Sequence, residues 1–162
     1  MRYEHRIRVN PLGASSPSAV TRAQLWAALV LRAEDPMQFM PALEAYCIRA
    51  RAVNAQGFET LARTLDFGGF AVQDQATLAA PDALILDTQA GATWPASRLT
   101  LRIEEPEPEV LFLSFVYESD EHVGSELDAM ADHLRRRAYE AADQDMVARI
   151  RGLVGSGLLG AG

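Results

Sequence analysis

A helix must run from about Ser125 to Val154, and the chain before it must be built to receive it. Leu127, Ala131, Leu134, Ala138, Ala142, Met146, Ile150 and Leu153 recur in this stretch at spacings of three and four, the period of one helix face. The opposite face then carries Asp132, Arg136, Glu140, Asp143 and Arg149. Asp132–Arg136, Arg136–Glu140 and Asp145–Arg149 set opposite charges four residues apart, each a small support for a helix. A long helix with one apolar stripe lies along something, and the segments before it read as strands. The partner is therefore a sheet.

Those segments start with Arg2–Val9, which alternates. Tyr3, His5, Ile7 and Val9 share one face, and Arg2, Glu4, Arg6 and Arg8 the other, as in a strand with one wet side. Asn10–Ala19 is rich in Pro, Gly and Ser and reads as a loop. Thr21 and Gln24 have the spacing of a capping box and open a helix to about Arg32. Asp35-Pro36 is an N-cap with proline at the first helical position, so a second short helix runs through Phe39. Strands follow at about Ala45–Val53, Phe58–Phe67, Phe70–Leu78, Leu84–Gln89, Ser97–Glu104 and Val110–Glu118. The breaks between them, at Asn54–Gly57, Gly68-Gly69, Ala80–Ala83, Ala90–Ala96 and Glu105–Glu109, carry turn chemistry. The expected fold is α+β: a seven-stranded antiparallel sheet around a long C-terminal helix, with two short helices after the first strand. Residues 1–154 are expected to form one domain and 155–162 a flexible, glycine-rich tail.

Several chemistries are excluded or disfavoured. The net charge of −7 argues against a nucleic-acid or anionic-membrane partner. All fifteen basic residues are Arg, so a Schiff-base lysine is ruled out. Cys47 is the only cysteine, which leaves no disulfide framework and no cysteine metal cluster; on a strand beside Arg49, it reads as structural. The histidines lack zinc spacing. Glu118, Asp120, Glu121 and His122 lack EF-hand spacing and read as a solvated loop. Glu104 and Glu105 are adjacent on a strand, so they point to opposite faces and form no carboxylate pair. No metal or cofactor is expected. The N-terminus is a charged strand rather than a signal peptide, and no apolar run reaches membrane-spanning length. A cytoplasmic protein without membrane insertion is expected, and a homodimer is left open.

The element order resembles the helix-grip fold of the SRPBCC superfamily, which includes START domains, pollen-allergen-like proteins and polyketide cyclases. Thr21-Arg22-Ala23-Gln24-Leu25-Trp26 and Leu31-Arg32-Ala33-Glu34-Asp35-Pro36 resemble the first-helix segment of the AtaL-like family, a domain of unknown function. Ile103-Glu104-Glu105-Pro106, Leu111-Phe112-Leu113 and Tyr117-Glu118 resemble its penultimate hairpin. The likeness spans nearly the whole chain. It implies a helix-grip fold with an internal cavity and supplies no substrate. The glycine-rich tail and the loop at Asn10–Ala19 depart from the pattern.

Candidate site residues follow from the expected faces. A two-residue turn at Gly68-Gly69 pairs Phe67 with Phe70, Leu65 with Val72, Arg63 with Asp74 and Leu61 with Ala76. Arg63 and Asp74 then face each other among hydrophobic neighbours. An isolated charge is prohibitive there, and a hydrogen-bonded pair is tolerated. The pair reads either as purely structural or as a polar anchor for a ligand. If the first strand lies beside the last, His5 meets Tyr117, as a core histidine or as a general base with Tyr117 as donor. Tyr46 and Thr88 are further polar candidates, Leu99 a wall residue, and the helices around Trp26 and Phe39 the lid.

Three functions compete: binding of a small hydrophobic or aromatic, polyketide-like molecule in an internal cavity; a cyclase- or lyase-type enzyme acting on such a molecule; and a protein-interaction module.

Overall fold

The computed structural model describes residues 1–13, 19–120 and 126–160, and of 126–128 the backbone alone. Expectations resting on Ser125, on the Leu127 side chain, on Glu121 and His122, and on the middle of the loop after the first strand lie outside the described residues.

Strands β1 (Arg2–Arg8), β2 (Ala45–Val53), β3 (Glu59–Asp66), β4 (Ala71–Ala79), β5 (Ala83–Thr88), β6 (Ser97–Glu107) and β7 (Val110–Ser119) form one antiparallel sheet. Its order is β1-β7-β6-β5-β4-β3-β2. Six strands follow one another as a meander, and the first lies beside the last. β6 runs on to Glu107 instead of ending at Glu104, so the hairpin to β7 is shorter than expected. Gly68 sits at φ 92°, a backbone open to glycine, and Phe67 N donates to Phe70 O at 3.0 Å. That turn sets the expected register, with Arg63 opposite Asp74 and Leu65 opposite Val72.

Helix α1 (Arg22–Glu34) starts at the expected capping box: Gln24 N donates to Thr21 Oγ1 at 3.1 Å, and Thr21 N to Gln24 Oε1 at 3.0 Å. It buries Leu25, Ala28 and Leu29 and packs over β4, β5 and β6. The expected second helix is a single 3-10 turn, Pro36–Gln38. Helix α2 (Glu126–Gly155) packs on β1 and α1.

The registers lay side chains in rows across the strands. One row reads His5, Phe115, Leu101, Leu84 and Leu78. The next reads Tyr3, Tyr117, Leu99, Leu86, Ala76 and Leu61. A third reads Ser119, Ser97, Thr88, Asp74 and Arg63, polar throughout. The inner face of the sheet thus grades from apolar to polar along its strands.

Helix α2 follows the same gradient, and here the sequence reading needs correction. Its C-terminal half buries Met146, Val147, Ile150 and Leu153 against the apolar rows. The stretch from Ala131 to Asp143 turns Asp132 and Asp143 inward, while Leu134 is 61% exposed and Ala131, Ala138 and Ala142 also face outward. The supposed stripe takes steps of four residues between Leu134 and Ile150, each overshooting a turn by about 40°. It therefore winds off the buried face. Arg136 pairs with Asp132 at 3.0 Å, as the spacing implies, and also lies over the Tyr3 ring.

Residues 156–160 of the expected tail make contacts with the rest of the chain. Ser156 and Leu158 donate backbone hydrogen bonds to Gly152 and Leu153, Leu159 packs on the core, and Gln24 Nε2 donates to Gly160 O at 3.0 Å. Cys47, read as structural, is exposed because β2 is an edge strand. No described helix is long and apolar enough to cross a membrane.

Candidate functional site

Where the polar and middle rows of the sheet meet the polar half of α2, the interior is not filled. A cavity of about 270 Å³ lies there. Leu65, Phe67, Val72, Leu86 and Leu99 give it apolar walls and Tyr117 and Tyr139 an aromatic one; Arg32, Arg63, Asp74 and Thr88 are polar groups within it, and Met1, Ser97, Arg98, Glu118 and Ser119 add a polar border. The two tyrosine rings, one from β7 and one from α2, stack with centroids 3.9 Å apart and planes within 4°. The cavity shares Phe67, Val72, Thr88 and Tyr139 with a wider hollow of about 690 Å³ bordered by Phe70, Trp94 and Arg135. Trp94 lies over Gly91, where any β-carbon would collide with the indole, and its Nε1 donates to Gln89 O at 3.1 Å. Its ring centroid is 5.8 Å from that of Phe70.

Arg63 is fully buried and its fork is almost fully used. Nε and Nη2 donate to the two oxygens of Asp74 at 2.9 and 2.6 Å. Nη1 donates to the carbonyls of Arg32 and Ala33 at 3.2 and 3.0 Å. The side chain thus closes the last turn of α1, whose carbonyls have no partner within the helix. The ion pair inferred from the Gly68-Gly69 register is present, and it joins α1 to the sheet.

Arg32 stands differently. It lies in the last turn of α1 and lines the cavity, and its Nη1 is shut off from solvent with no hydrogen-bond partner. Burial, then the neighbouring Arg63 charge, lowers its pKa to about 10. The carboxylates of Asp74 and Asp143 act on it electrostatically, but each is bonded elsewhere.

Asp143 anchors a second polar cluster. Its Oδ2 is 2.7 Å from His5 Nε2, and Tyr117 OH lies 2.8 Å from both of its oxygens. Burial raises the Asp143 pKa, against the hydrogen bonds from Tyr117 and His5, which lower it. Burial, then the Asp143 charge, pushes the Tyr117 phenol far above its ordinary value. Tyr3 extends the cluster outward with a hydrogen bond to Glu140, and burial with that bond raises its pKa to about 12.

The structure thus gathers Arg63, Asp74, Tyr117 and Leu99 around the cavity, with Thr88. His5 does not line it and meets Tyr117 through Asp143 and through the Tyr3 ring between them. Trp26 packs on the core outside the lining, because α1 presents its last turn to the cavity and not its first. Tyr46 interacts with Asp35 beyond the end of α1. Phe39 does not line the cavity; it borders a groove with Met37, Ala142 and Arg149 that shares Met40 with the cavity. Sequence reasoning missed Arg32, Tyr139 and Asp143. The last had been put on the outer helix face, although it lies four and seven residues before Val147 and Ile150, which are buried.

A family model described as acetylaranotin biosynthesis cluster protein L, AtaL, matches residues 4–157. No curated protein matches the sequence. Among solved structures, the di-domain aromatase/cyclase StfQ from the steffimycin biosynthetic pathway superposes with a TM-score of 0.64 at 12% identity, over 96% of this chain and 51% of that one. This chain thus spans about half the length of that di-domain protein. The Zhui aromatase/cyclase from Streptomyces sp. R1128 matches at 0.59 and 13% identity, over 98% of this chain and 95% of that one. A START superfamily protein from Mycobacterium smegmatis matches at 0.57 and 14% identity, over 94% and 98%. At these identities the likeness is one of fold.

Proposed function

The chain belongs to the AtaL family, and from that premise we propose that it binds a small, flat, mainly apolar molecule of the aromatic or polyketide-like kind in the cavity between sheet and helix. The observation that carries this reading is the cavity itself. It is walled by apolar side chains and a tyrosine pair, with a few convergent polar groups at one side, the usual composition of a small-molecule site. Apolar walls supply affinity without direction, and the polar groups fix orientation. The fold it shares with two aromatase/cyclases and a START superfamily protein is compatible with this use and does not select it. Native mass spectrometry of the purified protein tests the reading directly. A co-purified compound, or a shift on adding hydrophobic dyes, fatty acids or aromatic polyketides, supports it. Absence of binding from every class removes it.

The hydrogen-bonded set His5, Asp143 and Tyr117 favours a second reading, in which the bound molecule is also transformed in a cyclase- or lyase-type step. Tyr117 lines the cavity and is backed by a buried carboxylate and an imidazole, an arrangement able to move a proton to or from a ligand oxygen. On this reading His5→Gln lowers turnover and leaves affinity nearly unchanged. An equal loss of both makes His5 structural.

A further inference from the structure

Within that ligand-binding reading, on which this inference rests, we infer that Arg32 anchors the ligand and that the ligand class carries an anionic oxygen, as an aromatic carboxylate or an ionised enol does. Among the cations that line the cavity, Arg98 is paired with Asp87 and the Met1 ammonium donates to Ser119 O; Arg63 and Arg32 lie deeper, and they are not equivalent. Arg63 spends both arms of its fork on Asp74 and its remaining Nη on helix carbonyls. It has little left to offer. Arg32 has a solvent-excluded Nη1 with no partner, on a residue that lines the cavity.

Arg32 is only partly buried, but a guanidinium nitrogen shut off from solvent without an acceptor is costly, and a fold keeps one where something else supplies the missing acceptor. Water or a neutral carbonyl satisfies the hydrogen bond but leaves the charge. An anionic oxygen satisfies both, and in this low-dielectric setting such a charge-assisted bond is strong. A position at the end of α1 gives a cation some benefit from the helix dipole. That benefit does not require the cavity-lining placement, and Arg63 already meets the carbonyls of residues 32 and 33. The stacked Tyr117–Tyr139 pair borders the same space, so a planar ligand body has an aromatic wall beside the anchor.

The test compares 2-naphthoate with its neutral analogue 2-naphthamide by calorimetric titration into wild type, Arg32→Met and Arg32→Lys. Wild type is expected to prefer naphthoate by about tenfold or more, the scale of one charge-assisted hydrogen bond. Arg32→Met should lose that preference and keep naphthamide binding, and Arg32→Lys should recover part of it. The Met variant is expected to stay folded, since Nη1 has no partner that its loss would strand, and the Lys variant serves as the independent check. Naphthoate binding equally tightly to wild type and Arg32→Met, or naphthamide preferred by wild type, overturns the role of Arg32 while leaving the cavity reading in place. Failure of wild type to bind either compound counts against the cavity reading itself, and the inference falls with it.

Discussion

Asp74 has both carboxylate oxygens on Arg63, and the pair is 3% and 0% exposed. Removing one partner of such a pair strands the other in the interior. Asp74→Ala should therefore cost about 3–5 kcal/mol in urea melts; a loss below about 1 kcal/mol would be the behaviour of an exposed pair. Asp143 is the contrasting case, because its pKa is raised, chiefly by burial. The folded protein then holds this proton to higher pH than the unfolded chain does. The associated stability is fully present below the unfolded carboxylate pKa, near about 4, and is lost as pH rises through the folded value. Asp143→Asn should remove that loss, so its urea midpoint should gain on wild type between pH 4 and pH 7. A variant that falls behind as pH rises would mean that His5, Tyr117 and Arg32 outweigh burial.

Among the elements, β3 and β4 were the most legible in the sequence, since Gly68-Gly69 fixes a register and the register fixes which side chains meet. The capping box at Thr21 was equally plain. Helix α2 was read correctly only in its C-terminal half, where an apolar face meets apolar rows. The stretch from Asp132 to Asp143 lies on the cavity side, and there Asp132 and Asp143 turn inward and find partners on Arg136, His5 and Tyr117. Hydrophobic periodicity assumes that the inward face is apolar, so it chose Leu134 and three alanines instead. The position of Arg32 was invisible for a related reason: no local pattern tells which side of a last turn opens onto a void. Leu134→Asp should now change stability by no more than about 0.5 kcal/mol, the usual range for a surface site. Ile150→Asp, at a fully buried position, should cost more than about 4 kcal/mol or unfold the protein. Similar thermal midpoints for the two variants would place the buried face of α2 elsewhere.

In the molecule as a whole, sheet and helix share one gradient. Apolar rows meet the apolar end of α2 and form the core, and polar rows meet its polar end and leave a cavity. Affinity for a small apolar molecule is expected to depend on the free space between those two ends. Leu99 stands in the middle row, across from Leu86 and Tyr117, and lines that space. Leu99→Trp should fill it. Calorimetric titration of 2-naphthamide into wild type and Leu99→Trp, both confirmed folded by their thermal transitions, separates the alternatives. The account predicts one site per chain in wild type and at least a tenfold weaker or undetectable one in the variant, about 1.4 kcal/mol or more. Equal binding by both proteins would put the ligand outside the sheet–helix cavity and contradict the account.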